Sequence, residues 1–138
     1  NSNAMMKFES TLENISKVEE YILALRQTLH LPEDLYADIL ISLTEAVNNA
    51  IIHGNTCNQT KYVVINHIIT NDCIKFIVQD EGCGFAPEKI PDPTCNENID
   101  KLGGRGVMIM RHLAQRVVFS KKGTCVEMQF NRKGMWQH

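Results

Sequence analysis

The 138-residue sequence contains no unbroken apolar run long enough to cross a bilayer and no basic start followed by an apolar segment. Neither a membrane anchor nor a secretory leader is therefore expected. Excess positive charge is lacking too, since 14 Lys plus Arg stand against 16 Asp plus Glu, for a net charge of −2. A domain that coats nucleic acid or anionic lipid needs clustered Lys and Arg, so neither is an expected partner. The five cysteines (Cys57, Cys73, Cys83, Cys95, Cys125) form no C-x-x-C pair. Their odd number and spacing speak against a disulfide framework or a zinc knuckle, and reduced cytoplasmic thiols are the expectation. No repeat, low-complexity tract or interdomain linker interrupts the chain.

What is present is ordinary for a soluble globular domain: 43% hydrophobic and 22% charged residues. The length suits one domain able to bury a core without a disulfide or metal staple. Asn1-Ser2-Asn3-Ala4 ahead of Met5 read as an expression-tag scar, which leaves residues 5–138 as a single domain.

Residues 5–10 read as a short edge strand. Ser16 and Glu19 have the spacing of a capping box. Ile15, Val18, Ile22, Leu25 and Leu29 then recur at helical spacing as one apolar stripe, a core face rather than a dimer seam. Leu31-Pro32 ends that helix, and Pro32 suits the first turn of a second, over residues 33–53, that stops at Gly54. Lys61 to Thr70 and Cys73 to Gln79 are β-rich runs on either side of an Asn71-Asp72 turn. Residues 83–103 lack periodicity and carry Pro87, Pro91 and Pro93, the mark of a functional lid or a disordered stretch. A short helix over 105–115 and a hairpin around Lys121-Lys122-Gly123 complete the chain. The order β-α-α-β-β-lid-α-β-β predicts an α+β fold, a two-layer sandwich with helices on one face of a mostly antiparallel sheet.

The second helix carries an unusual polar stripe. At 100° per residue, Asp38, Ser42, Glu45 and Asn49 fall together between two apolar zones. No Lys or Arg occurs from Pro32 to Gly54. Half-buried carboxylates without an internal cation call for a partner such as a metal or a proton donor. A hydrogen-bonded stripe packed against a loop explains the pattern equally well. Glu45 and Asn49 are one turn apart, about 6 Å along the axis. The carboxylate suits a base, and the amide oxygen is a neutral hard ligand of the kind Mg²⁺ accepts. His53 continues the ladder, but Asn is a poor zinc ligand, so His53 is read as a hydrogen-bonding residue at the helix end.

Two glycine-rich turns follow. Asp80-Glu81-Gly82-Cys83-Gly84-Phe85 comes straight after a strand, where glycines allow close approach of a ligand and an Asp can accept from an amino group. Gly103-Gly104-Arg105-Gly106 opens the next helix, where free N–H groups and an Arg suit an anion. The sequence G-x-x-x-x-G-K-[ST] of a P-loop is absent.

Taken in order, E-A-V-N-N-A-I-I-H-G from Glu45, D-E-G-C-G-F from Asp80 and G-G-R-G-V-M from Gly103 resemble the N box and the two glycine boxes of the GHKL ATPase superfamily. The stretch G-F-A-P-E-K-I-P-D-P-T before G-G-R-G is similar to that of RsbW-type anti-sigma factor serine/threonine kinases. The resemblance runs from about Phe8 to Phe130. It implies a Bergerat fold with three helices on one face and ATP held between helices and a lid over about residues 83–105, of which residues 86–103 are expected to be mobile without nucleotide. It further implies that Asp80 holds the adenine amine, with Gly82 and Gly84 allowing close approach, and that Thr124 lies near the base. Asn49 would ligate Mg²⁺, Gly104, Arg105 and Gly106 would cradle the phosphates, and Glu45 would take the proton of the attacking hydroxyl. That hydroxyl would belong to an anti-anti-sigma (STAS) protein, and the second partner would be a sigma factor. Members of this family commonly form homodimers. His30 at the end of a lone helix does not suggest the phosphoacceptor hairpin of a histidine kinase. An alternative within the same fold is a non-catalytic module in which ATP orders the lid and so controls a protein partner.

Overall fold

A computed structural model describes residues 2–82 and 99–132. Among these residues five strands form one sheet: β1 (Ser2–Glu9), β2 (Tyr62–Ile69), β3 (Cys73–Gln79), β4 (Arg116–Ser120) and β5 (Cys125–Asn131). Three helices, α1 (Ile15–Leu29), α2 (Glu33–Asn48) and α3 (Ile99–Leu113), complete the two layers. The spatial order is β1-β2-β3-β5-β4, with every neighbouring pair antiparallel. The predicted α+β sandwich is therefore what the chain adopts, and the sheet is antiparallel throughout.

Alternation in the strands decides which face the helices cover. Val63, Ile65 and Ile69 of β2, Ile74, Phe76 and Val78 of β3, and Val126, Met128 and Phe130 of β5 are all buried. They meet Val18 and Ile22 of α1, and Ile39, Leu43, Ala46 and Val47 of α2, in a single core. Period two in the strands and spacings of three and four in the helices leave no other pairing of apolar faces. Val18 and Ile22 have no exposed surface, so the α1 stripe is a core face as expected. Glu33–Gly54 is the one described segment long and apolar enough to cross a membrane, but its Ile39, Leu43, Ala46, Val47, Ala50 and Ile51 lie in this core.

Several boundaries differ from expectation. The edge strand begins at Ser2, so residues 2–4, set aside as a tag scar, pair with Ile69, Ile68 and His67. Ser16 does not cap α1: a 3₁₀ turn over Leu12–Asn14 precedes the helix, Asn14 is the residue before it, and the Ser16 hydroxyl donates back to Glu13 O at 2.9 Å. Pro32 lies just before α2, where its carbonyl accepts from Tyr36 N at 2.9 Å. The α-helix α2 ends at Asn48, and Asn49–Gly54 form a wider π turn. The Asn55 N–H reaches Ala50 O there at 2.8 Å. Gly54 still ends the helical run. Thr124 precedes β5 rather than opening it.

The third helix starts at Ile99 rather than at residue 105. Gly103, Gly104, Arg105 and Gly106 therefore lie inside α3 and not in a turn ahead of it. Glycine lowers helix propensity by roughly 1 kcal/mol per residue but does not forbid a helix, and local preference yields to packing. Residues 99–105, expected in the lid, are thus helical. The rest of the lid, Gly84 included, lies outside the described residues; of the stretch 86–103 expected to be mobile, residues 99–103 belong to α3 and the rest lies outside the described residues.

Candidate functional site

The π turn, the end of β3 and the middle of α3 meet at one end of the sheet. At the first junction, Gly54 lies against Asp80: a Cβ at Gly54 would stand 2.3 Å from Asp80 Oδ2. Gly82 in turn lies against Gly54, where an added Cβ would stand 1.7 Å from the Gly54 carbonyl oxygen. Only residues without a side chain allow that approach. At the second junction, Gly106 of α3 lies against Asn49, with a Cβ at Gly106 falling 2.9 Å from Asn49 Nδ2. Segments far apart in the sequence, Gly54 with Asp80 and Asn49 with Gly106, are therefore in contact.

Asp80 follows β3 directly. Its N–H donates to Thr124 O at 2.9 Å, and its Oδ1 accepts from Gly82 N at 2.8 Å. Burial pushes the carboxyl up from 3.8 to about 6, against the opposing pull of the Gly82 N–H and the Lys61 charge. A carboxylate held partly desolvated, with one oxygen engaged, suits an incoming amine donor. Thr124 thus meets Asp80 through its backbone, while its own hydroxyl donates to Lys121 O at 2.8 Å.

Glu45 and Asn49 remain one α turn apart, because Asn49 N still bonds Glu45 O. Both are half-buried. Among the described residues neither side chain has a hydrogen-bond or ion-pair partner. Ser42, on the same stripe, has no exposed surface, and its hydroxyl likewise has no partner among the described residues. The stripe is therefore not a solvated face. A carboxylate and a neutral amide oxygen, both unengaged, can take a proton and a hard cation respectively. Arg105 is exposed and Gly106 buried, so α3 presents the guanidinium outward and packs its glycine on Asn49. His53 is buried and burial lowers its pKa, which keeps it neutral. Its Nδ1 has no partner among the described residues, contrary to the hydrogen-bonding role expected of it.

Sequence reasoning missed Asn55. This residue is fully buried, and its side chain bonds the backbone of Tyr62 and Glu81 and the hydroxyl of Ser10. The one signal was a polar residue that can both donate and accept, placed directly after the glycine that ends an apolar helix. Of the cysteines, Cys57, Cys73 and Cys125 are free thiols.

Comparison with known proteins identifies the family of the chain. The family model for the histidine kinase-like ATPase domain matches residues 8–130. An anti-sigma F factor of Clostridium perfringens is 32% identical over 100 residues, covering 70% of this chain and 71% of the relative. One from Geobacillus thermodenitrificans is 29% identical over 130 residues, covering 90% and 88%. Among solved structures, the RsbU and RsbW domains of a Mycobacterium tuberculosis protein superpose with a TM-score of 0.66 at 13% identity. That match covers 95% of this chain, which spans 32% of the length of the larger one. The chain belongs to the histidine kinase-like ATPase family, among its RsbW-type anti-sigma factors.

Proposed function

We propose that the chain is an ATP- and Mg²⁺-dependent protein serine/threonine kinase that also holds a sigma factor and phosphorylates an anti-anti-sigma (STAS) partner. The observation that carries the reading is the pair Glu45 and Asn49, one helical turn apart and both unengaged among the described residues. A carboxylate and an amide left open on the same side of a helix, beside the glycine of α3, leave room for a reacting hydroxyl and a cation. In this reading Asp80 accepts from the adenine amine, and Gly82 lets the base approach the backbone. The residues present fit a hard cation: Asn49 offers a neutral amide oxygen beside a carboxylate, and Gly106 leaves it space. Bound there, Mg²⁺ would neutralise phosphate charge. Gly104 and Gly106 of α3 would lie beside the phosphates, and the exposed Arg105 side chain would turn inward to reach them.

Glu45 would accept the proton of a serine or threonine hydroxyl on the partner. The hydroxyl oxygen forms a new bond to the γ-phosphorus as the bond from that phosphorus to the ADP oxygen breaks. Positioning and charge neutralisation carry most of such a transfer. The chain is the anti-sigma component, so the named relatives also support a sigma factor as its second partner.

Incubation with a candidate STAS protein and γ-labelled Mg·ATP tests this. Label is expected on the partner, and Glu45→Gln should abolish it while ATP still binds. ATP binding without transfer to any STAS partner would replace the kinase with a module whose partner affinity follows nucleotide occupancy.

A further inference from the structure

Asn55 has no place among the roles above, yet its side chain touches the turn that carries Asp80. It has no exposed surface. Its Oδ1 accepts from Glu81 N at 2.8 Å, and its Nδ2 donates to Ser10 Oγ at 2.7 Å and to Tyr62 O at 3.0 Å. The Ser10 hydroxyl donates onward to Lys61 O at 2.7 Å. The Glu81 carboxylate accepts from Tyr62 N, which closes the connection back to β2.

The peptide N–H of Glu81 belongs to the plane that follows Asp80. The plane that precedes Asp80 is held by the bond from Asp80 N to Thr124 O at 2.9 Å. Both planes flanking Asp80 are therefore pinned, one by backbone of the β5 side and one by the Asn55 side chain. Two fixed planes set φ and ψ of Asp80 and hence the direction of its Cα–Cβ bond. Gly54 then bounds the carboxylate from one side.

We propose that Asn55 is a positioning residue for purine selection: it aims the Asp80 carboxylate by holding the Glu81 peptide. The inference rests on the nucleotide reading of the site. Adenine offers an amine donor where guanine offers a carbonyl, so a carboxylate selects between them only while its direction is fixed. Loss of the Asn55 amide frees one plane. Adenine affinity then falls, and guanine affinity, which gains nothing from Asp80, does not.

The test is titration of the full chain with ATP and with GTP, at one temperature well below melting. Asn55→Ala is expected to lose about tenfold in ATP affinity, the equivalent of one hydrogen-bond contribution, and to lose ATP-over-GTP preference by the same factor. Ser10→Ala removes the far end of the same network but keeps the Asn55–Glu81 bond. It should lower the melting temperature while holding the preference within about twofold of the unsubstituted chain. An unchanged preference in Asn55→Ala, or an equal loss in Ser10→Ala, overturns the positioning role. Hydrogen exchange at Glu81 in the unsubstituted chain serves if Asn55→Ala does not fold: strong protection is expected, and free exchange overturns the proposal. Failure of the unsubstituted chain to bind ATP at all would instead overturn the nucleotide reading.

Discussion

Gly54 lies directly against the carboxylate of Asp80, so close that a methyl group at position 54 would come within 2.3 Å of Oδ2. Gly82 rests on the carbonyl of the same glycine. Gly54→Ala asks a side chain to move, whereas Gly82→Ala asks backbone to move. Both substitutions should destabilise, by about 1–3 kcal/mol for the first and more for the second. Denaturant melts of the two variants check the order, and the reverse order would refute the packing argument.

Gly106 gives the opposite prediction. Its added methyl would fall 2.9 Å from Asn49 Nδ2, the tip of a side chain that can shift. Alanine also favours a helix over glycine by roughly 1 kcal/mol. Gly106→Ala should therefore leave the nucleotide-free chain as stable or more so, yet weaken Mg²⁺-dependent ATP binding by displacing Asn49. Asn49→Ala should show the same Mg²⁺-dependent loss, whereas Asp80→Asn should weaken adenine nucleotides with or without Mg²⁺. Titrations in magnesium and in EDTA distinguish the two ends of the site.

Asp80 makes stability depend on pH. Its folded value of about 6 lies above the ordinary 3.8. Between these values the folded chain binds the proton more readily than the unfolded one. The carboxyl therefore becomes progressively unfavourable as pH rises from about 4 to about 6, and remains so above. Asp80→Asn keeps an oxygen for Gly82 N and removes the charge. It should be more stable than the unsubstituted chain at pH 7, with the difference shrinking towards pH 4. Adenine nucleotide affinity of the unsubstituted chain should fall as pH drops below about 6. Melting curves across this range, with the variant alongside, read both effects.

Tyr21 on α1 hydrogen-bonds His67 Nδ1 on β2, inside a cluster with Phe76. Burial lowers the His67 pKa below 6.5 and raises that of Tyr21. The neutral imidazole is the accepting form. This contribution is full above about pH 6.5 and is lost as pH falls through the lowered value, opposite in sign to that of Asp80. Tyr21→Phe leaves the buried His67 Nδ1 without this partner and should cost about 1–3 kcal/mol at pH 7. A loss near zero would mean that the bond contributes nothing to docking α1 on the sheet.

Ser42 is buried, and its hydroxyl has no partner among the described residues. Ser42→Ala should raise stability by about 1 kcal/mol, because an unsatisfied buried hydroxyl costs that much or more. A decrease on thermal denaturation would show that the hydroxyl is bonded in solution.

The kinds of element and their buried faces were legible in the residues alone. Val18 and Ile22 on one stripe, and the alternating apolar residues of β2, β3 and β5, follow from periodicities that belong to the backbone and need no neighbour. The residue types at Glu45, Asn49 and Asp80 were likewise readable, because a carboxylate or amide on an apolar helix or at a strand end stands out against its surroundings. Tertiary structure alone decided the rest. The π turn at Asn49–Gly54, the start of α3 at Ile99 and the burial of Asn55 depend on which segments touch. No local preference encodes the contact of Gly54 with Asp80, of Gly82 with Gly54, or of Gly106 with Asn49. Those approaches exist because the sheet order brings the end of β3 to the π turn and α3 to α2, and steric exclusion between distant residues acts only once the chain has folded.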